Sequence, residues 1–271
     1  VGVAYSRMNY ELSRDFEVLE AHGQASIGSV FITQPLIRSR TFDLSAQLQY
    51  EDKRLRDDID LFEDSSQKHV ELWSLSLNGN SQDSLLGGGQ NFFYLTYGSG
   101  RLSIDDPMDQ WRDHFTAGTN GGFQKLNLNA ARLQYLSPRF QLYGQFNGQW
   151  SSTNLDSSEK FGIGGPFDVR AYPQGSGSGD QGWQASLELR FLLAPRWQLK
   201  AFVDHGAVQV NKSPWIHDEN RRQLSGAGVG ASWSGPSQQI SVTSAWALDN
   251  NQEGSGPERT PRIWASATQY F

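Results

Sequence analysis

Covalent catalysis needs a nucleophile, a base and an orienting group held in reach of one another, and this sequence singles out no such set. It contains no cysteine, which removes thiolate nucleophiles, thiolate metal sites and disulfides together. The five histidines, His22, His69, His114, His205 and His217, show no ligand spacing. Serines are abundant, yet no motif selects one of them. The acidic runs Asp57-Asp58-Asp60 and Asp105-Asp106-Asp109 carry the oxygen donors that a hard cation such as calcium takes. Neither follows a recognised spacing, and both read as solvated loop charge. Gly175, Gly177 and Gly179 lack the strand–loop–helix unit with which glycines cradle a phosphate, and read as a flexible loop. A protein without catalytic residues, bound metal or cofactor is expected, and no enzymatic activity.

The side chains that remain of interest are charged groups within strand-like segments. Successive side chains in a strand point to opposite faces. Phe42, Leu44, Ala46, Leu48 and Tyr50 alternate with Thr41, Asp43, Ser45, Gln47 and Gln49. Trp73, Leu75 and Leu77 alternate with Ser74, Ser76 and Asn78, and Leu142, Phe146 and Trp150 with Gln141, Tyr143, Gln145, Asn147 and Gln149. The pattern is plainest where Ala185, Leu187, Leu189, Phe191 and Leu193 face away from Ser186, Glu188 and Arg190. Further on, Leu199, Ala201, Val203 and Ala207 share one phase, and Lys200, Phe202, Asp204 and Gly206 the other. Asp204 thus joins Glu188 and Arg190 on a polar face. Ile240, Val242, Trp246 and Leu248 repeat the alternation near the end. About twelve strands are predicted, and no segment of useful length has a helical period. A slip of phase at Ala130-Ala131 predicts a bulge, while Ala25–Thr33 is apolar in both phases.

Connections alternate in length. Short turns are predicted at Gln34-Pro35-Leu36-Ile37, Ser137-Pro138-Arg139 and Ala194-Pro195-Arg196-Trp197. Long polar loops are predicted at Asp52–Ser66, Ser103–Asn120, Ser152–Gly182, Val210–Arg222 and Asp249–Arg259. Short turns on one side and long loops on the other mark an outer-membrane barrel. A soluble β-sandwich shares the period but has less regular loops and fewer aromatics at strand ends. The longest apolar run, Phe191-Leu192-Leu193-Ala194, stops at Pro195, far short of a membrane helix. Mean hydropathy is −0.57, yet there are 28 Gly and 33 aromatic residues, 9 Trp, 9 Tyr and 15 Phe. Since a spanning sheet must satisfy its own backbone, it closes. The fold class is therefore all-β, a transmembrane antiparallel β-barrel with a wet or plugged lumen and no dry core on its polar face. The net charge of −6 speaks against a nucleic-acid partner.

The longest loop carries the closest resemblance. Its Val169-Arg170-Ala171-Tyr172 resembles the VRGY or VRGF tetrad of the TpsB two-partner secretion transporters, with Ala in place of Gly. That family shares a superfamily with the outer-membrane barrel assembly insertases. Gly179-Asp180-Gln181-Gly182 is similar to the family's GDxG, and Leu187-Glu188-Leu189-Arg190 to the ELR strand after it. Phe202-Val203-Asp204-His205-Gly206 matches its F-x-D-x-G. The resemblance implies that residues 152–182 fold back into the lumen and that Arg170 pairs there with Asp204. It also implies sixteen strands, with this loop between the eleventh and twelfth. About seven predicted strands precede the loop and five follow, so residues 1–271 are expected to be a barrel domain within a longer protein. Four strands, a plug helix and periplasmic POTRA domains would then lie outside the chain.

The function implied is an outer-membrane pore that passes an unfolded exoprotein (an adhesin, a cytolysin or a contact-dependent toxin) to the cell surface. Implied partners are that secreted TpsA-type exoprotein, outer-membrane lipid and lipopolysaccharide, and the barrel assembly machinery, whose signal the terminal Gln269-Tyr270-Phe271 partly resembles. Two alternatives stay open: an assembly insertase of the same superfamily, and a passive diffusion porin.

Overall fold

The computed structural model describes residues 1–11, 21–59, 64–248 and 260–270. One antiparallel sheet of twelve strands dominates it. Seven strands come first: β1 (Gly2–Glu11), β2 (Ala21–Arg38), β3 (Phe42–Ile59), β4 (Asp64–Asp83), β5 (Gly89–Ile104), β6 (Gly121–Tyr135) and β7 (Phe140–Ser151). The short strands β8 (Phe161–Ile163) and β9 (Gly177–Gly179) then pair only with each other. Five strands complete the sheet: β10 (Gln181–Ala194), β11 (Trp197–Gln209), β12 (Arg221–Ser234), β13 (Gln238–Ala247) and β14 (Arg262–Gln269). Strands follow one another in the sheet in chain order, with β10 beside β7 and with β1 and β14 at the two edges.

One face of this sheet is apolar and exposed. Leu48, Trp73, Leu75, Leu126, Leu187, Val203, Val229 and Val242 all lie open on it. Aromatics bound the band at both ends, with Trp150 and Trp183 above and the Phe140–Phe191 pair, 4.9 Å between ring centres, below. A contiguous apolar surface of this extent is stable only in hydrocarbon. The chain is thus a transmembrane β-barrel wall, and the polar phase of its strands faces the lumen. No helix among the described residues is long and apolar enough to cross a membrane.

Several expectations need correction. The ladder is unbroken at Ala130 and Ala131, which pair in sequence with Phe93 and Phe92 and with Phe146 and Gln145. No bulge exists there. The hydropathy pattern itself inverts below that point, because Arg132 and Gln134 face outward in an ion-paired cluster with Asp83 and Asn91. The turn expected at residues 34–37 sits instead at residues 39–41, where the Ser39 hydroxyl accepts the Phe42 N–H. An irregularity between Pro35 and Ile37 is absorbed within β2. The loop expected over Asp52–Ser66 is mostly strand, since β3 and β4 pair as far as Ile59 and Asp64. Above the bilayer the outer face meets water and the inner face meets the β7–β10 loop, so the lipid-water alternation disappears while the backbone ladder continues. A short helix, α1 (Pro107–His114), occupies the β5–β6 loop and is capped by Asp106, which accepts from the Met108 and Asp109 N–H groups. That carboxylate therefore serves the backbone of α1. Asp60 and the connection 249–259 lie outside the described residues.

A substitution across the wall tests which face meets lipid. Leu187→Arg, centred in the apolar band, should destabilise the inserted barrel by ~2–4 kcal/mol. Gln47→Arg on the lumenal face should leave it nearly unchanged. Heat-modifiable mobility on gels reads both, and equal tolerance of the two changes would reverse the assignment of faces.

Candidate functional site

The connection between β7 and β10, residues 152–180, lies across the polar face of the sheet. It reaches strands as far apart in order as β3 and β14. Its β8–β9 hairpin sets Ile163 against Gly206 and Gly177 near Val208 on the wall. Gly164 has a φ of +100°, a left-handed conformation that side chains resist. There the chain leaves the hairpin and enters two tight turns, closed by Asp168 N–H to Gly165 O and Tyr172 N–H to Val169 O.

Those turns deliver Arg170 into a buried set of acceptors. Its Nε and Nη2 donate to Asp204 Oδ2 at 2.9 Å and Oδ1 at 2.7 Å, a two-pronged contact. Nη1 donates to Glu188 Oε1, Nη2 also to the Ser186 hydroxyl, and the backbone N–H to Asp204 Oδ2. The guanidinium lies over the Phe202 ring, 3.4 Å from its centre. The Trp264 indole on β14 donates to the Arg170 carbonyl at 2.8 Å. Asp204 and Glu188 are 1% and 6% exposed at their side chains, and Arg170 6%. Glu188 in turn receives Arg190 Nη2 at 2.6 Å. The structure thus brings together Arg170, Asp204, Glu188, Arg190 and Phe202.

The rest of the tip packs. Val169, Ala171 and Tyr172 are buried with Phe202 and Ala245. Ala171 takes ordinary backbone angles, since Leu86 is the one non-glycine with positive φ among the described residues. Its methyl faces Gly226, where a side chain would stand 2.8 Å from it. Gly206 likewise leaves room for Ile163 and Val169. The wall is hollowed where the tip rests.

The motif residues Gly179 and Asp180 lie at the other end of the loop, and Gly182 lies within β10. Gly177–Gly179 is paired strand, not the flexible loop expected of its composition. Asp180, fully buried, accepts from the Leu155 and Lys212 N–H groups and pairs with Lys160 at 3.1 Å. It ties the two ends of the loop together.

A second anchor escaped the sequence reading. Glu159 sits between Lys53 of β3 and Lys125 of β6, at 2.9 and 2.6 Å, and Asp156 pairs with Lys68 of β4 at 2.8 Å. Lys53 and Lys125 continue the polar phases of their strands, so their facing was legible. Their acidic partners lie in a loop without periodicity and were not. Beside them Leu155 packs into Val70, Leu72, Leu102, Ile104 and Phe123. This apolar cluster on the lumenal face corrects the expectation that no dry core would occur there. No group of three or more potential metal ligands occurs among the described residues.

Burial alone would push the Glu159 carboxyl up, but Lys125 and Lys53 outweigh it and hold it below the usual carboxylate range. Burial likewise opposes ionisation of Asp156, and Lys68 overcomes it. Asp168 goes the other way. Burial pushes it up, and a hydrogen bond from Gln184 only partly offsets this. Carboxyls held low contribute stability that is present above their ordinary value of ~4 and is lost as pH falls through the lower folded value. Asp168, held high, opposes the folded loop while ionised and is relieved on acidification. Residues 1–271 contain no cysteine, so within them a spin label on Ser157→Cys reports the loop alone. It should stay immobile near neutrality and become mobile only below about pH 4. Release already near about pH 6 would implicate a histidine instead.

A family model described as haemolysin secretion/activation protein ShlB/FhaC/HecB matches residues 2–233. The heme/hemopexin transporter protein HuxB of Haemophilus influenzae (strain 86-028NP) is 24% identical over 281 residues, covering 100% of this chain and 48% of its own length. The structure of CdiB from Escherichia coli is similar with a TM-score of 0.75 at 18% identity, over 98% of this chain and 49% of that one. CdiB from Acinetobacter baumannii gives 0.68 at 16% identity, over 99% and 47%. The chain spans about half the length of the curated relatives it matches. A single family model covers most of the chain, and the chain belongs to the haemolysin secretion/activation protein ShlB/FhaC/HecB family.

Proposed function

We propose that this chain forms the pore through which an unfolded exoprotein reaches the cell surface, with residues 152–180 as the loop that closes the lumen. Arg170 held by Asp204 and Glu188 is the latch of that loop. The observation that carries this reading is the saturation of one loop arginine by groups of the wall: two buried carboxylates, a half-buried hydroxyl and an aromatic face. A solvated loop arginine needs none of these. The loop is not locked covalently, and every contact of the latch is an ion pair, a hydrogen bond or a small packed cluster. Such contacts break and re-form without chemistry, as a gate requires. The cargo is a secreted TpsA-type protein, taken up in the periplasm. Lipopolysaccharide surrounds the barrel, and the assembly machinery inserts it.

Losing one partner of a buried pair leaves an uncompensated charge and costs roughly 3–5 kcal/mol. Asp204→Ala should therefore abolish most secretion of the cognate exoprotein while the barrel still inserts at normal abundance. Normal secretion by that variant would sink the latch. Arg170→Lys retains the charge but not the two-pronged geometry, and should secrete poorly as well. Steady open conductance of the wild-type pore in planar bilayers, independent of exoprotein, would favour a diffusion porin instead.

A further inference from the structure

The outer face of the wall carries a polar pair where lipid touches it. His205 of β11 and Ser225 of β12 stand opposite one another, with the imidazole Nδ1 and the hydroxyl oxygen 2.8 Å apart. Both belong to the phase of Leu187, Val203 and Val229, which faces hydrocarbon. Trp183 of the aromatic girdle has its ring centre 5.3 Å from that of His205. His205 pairs across the strands with Ala185, two residues below Trp183, which puts the imidazole ~5 Å under the girdle. Polar side chains at that depth are costly unless they find a partner. Ser225 occupies Nδ1, and Nε2 has no hydrogen-bond partner among the described residues. With Nδ1 accepting from the hydroxyl, Nε2 carries the proton and is a donor.

Two cavities meet at this pair. An open groove of about 870 Å³ follows one row of side chains across the wall. The row is Phe93, Ala130, Phe146, Ala185, His205 and Ser225, each on the next strand from β5 to β12 in the sheet. Alanines between larger side chains give the groove its depth, and five steps between strands give it ~24 Å of length. Because the strands tilt, the row climbs from the lower edge of the apolar band at Phe93 to the girdle at His205. Above the pair, a second cavity of about 430 Å³ lies between Trp150, Trp183 and Arg221. Gln181, Gln209 and Arg221 stand side by side along it, and Lys212 Nζ donates to Gln181 at 2.9 Å. Glu219 also lines this cavity, so two cations and one carboxylate stand above the girdle.

From the cell-surface side downward, this column offers cations, indole faces, an imidazole donor and an apolar trough. A phosphorylated, acylated glycolipid presents the matching groups in the same order: phosphate, sugar, the carbonyl that links sugar to chain, and the chain itself. Arginine and lysine suit the phosphate, and indole rings sit where headgroup meets chain. The groove is continuous with the lipid-facing band, so its occupant comes from the bilayer. We propose that this face binds one molecule of lipopolysaccharide, with a lipid A phosphate on Arg221 and Lys212, a carbonyl on His205 and an acyl chain in the groove. The proposal rests on the placement of lipopolysaccharide around the barrel given above.

The test uses the full-length transporter, delipidated in detergent micelles, with native mass spectrometry as the readout. Phosphorylated lipid A, its dephosphorylated form and phosphatidylglycerol are titrated in turn. Phosphorylated lipid A should bind one to one, and on the order of tenfold more tightly than either of the others. Arg221→Glu combined with Lys212→Glu should erase that preference. His205→Phe keeps a ring beside Trp183 but no donor, and should weaken binding about fivefold. Arg101→Glu, high on the outer end of β5 and away from the groove, should bind as the wild type does. Heat-modifiable mobility checks folding, and the two charge changes lie above the bilayer, so they decide the matter even where His205→Phe does not fold. Equal affinity for phosphatidylglycerol, or affinity unmoved by the site variants, overturns the inference. A loss as large in Arg101→Glu reduces the effect to general surface charge and overturns it too. Failure of the wild type to secrete an exoprotein would remove the pore reading and leave the lipid titration to decide this one.

Discussion

Hydrocarbon cannot hydrogen-bond, so every N–H and C=O of a spanning segment must find its partner within the protein. The rest of this structure follows from that requirement. It produces an uninterrupted antiparallel ladder from β1 to β14, with a strict alternation of faces wherever lipid touches the wall. It also creates a difficulty. A wall that is apolar outside and polar inside encloses a wet space, and that space must be closed if the envelope is to hold its contents. In the function proposed here the loop between β7 and β10 answers this need, and its contacts are those suited to a polar interior.

The loop is held at two places by charges of opposite arrangement. At the tip a cation, Arg170, enters a wall bearing carboxylates. At the root two acids, Glu159 and Asp156, enter a wall bearing lysines. The wall supplies counter-charges of its own at both places, Arg190 on Glu188 at the tip and Glu51 and Asp57 beside Lys53 and Lys68 at the root, and the loop adds the closest partners. The loop therefore completes the electrostatics of the wall while the wall fixes the conformation of the loop. Packing supplements both anchors: Leu155 at the root, and Ala171 and Tyr172 at the tip. The tip depends more on a carved surface, where Gly226 leaves the volume that the Ala171 methyl fills.

The misreadings of the sequence have a common origin. Alternation reports a strand only where the two faces meet different solvents. In the bilayer β7, β10 and β11 met that condition and their boundaries came out nearly right. Above it, β3 and β4 run on through Asp52, Lys53 and Arg54 with water outside and the loop inside, and their outer halves looked like a loop. Below it, Arg132 and Gln134 face outward among other polar groups, and an inversion of hydropathy looked like a bulge. The eight-residue helix α1 was too short for its period to emerge, although Asp106-Pro107 is a sound start signal.

The sequence by itself determined the class of fold, the number of strands on either side of the long loop, and the facing of Glu188, Arg190 and Asp204, because a period of two is a local property of the chain. Motif resemblance added Arg170 and its expected partner. Only the tertiary structure decided that Glu188 and Ser186 share that arginine, that Trp264 of the last strand caps its carbonyl, and that Glu159 and Asp156 seek Lys53, Lys125 and Lys68. These contacts join residues that are distant in the chain, and one partner in most of them stands in an irregular loop. No periodicity constrains such a residue, so its position is set by where the wall leaves space and opposite charge.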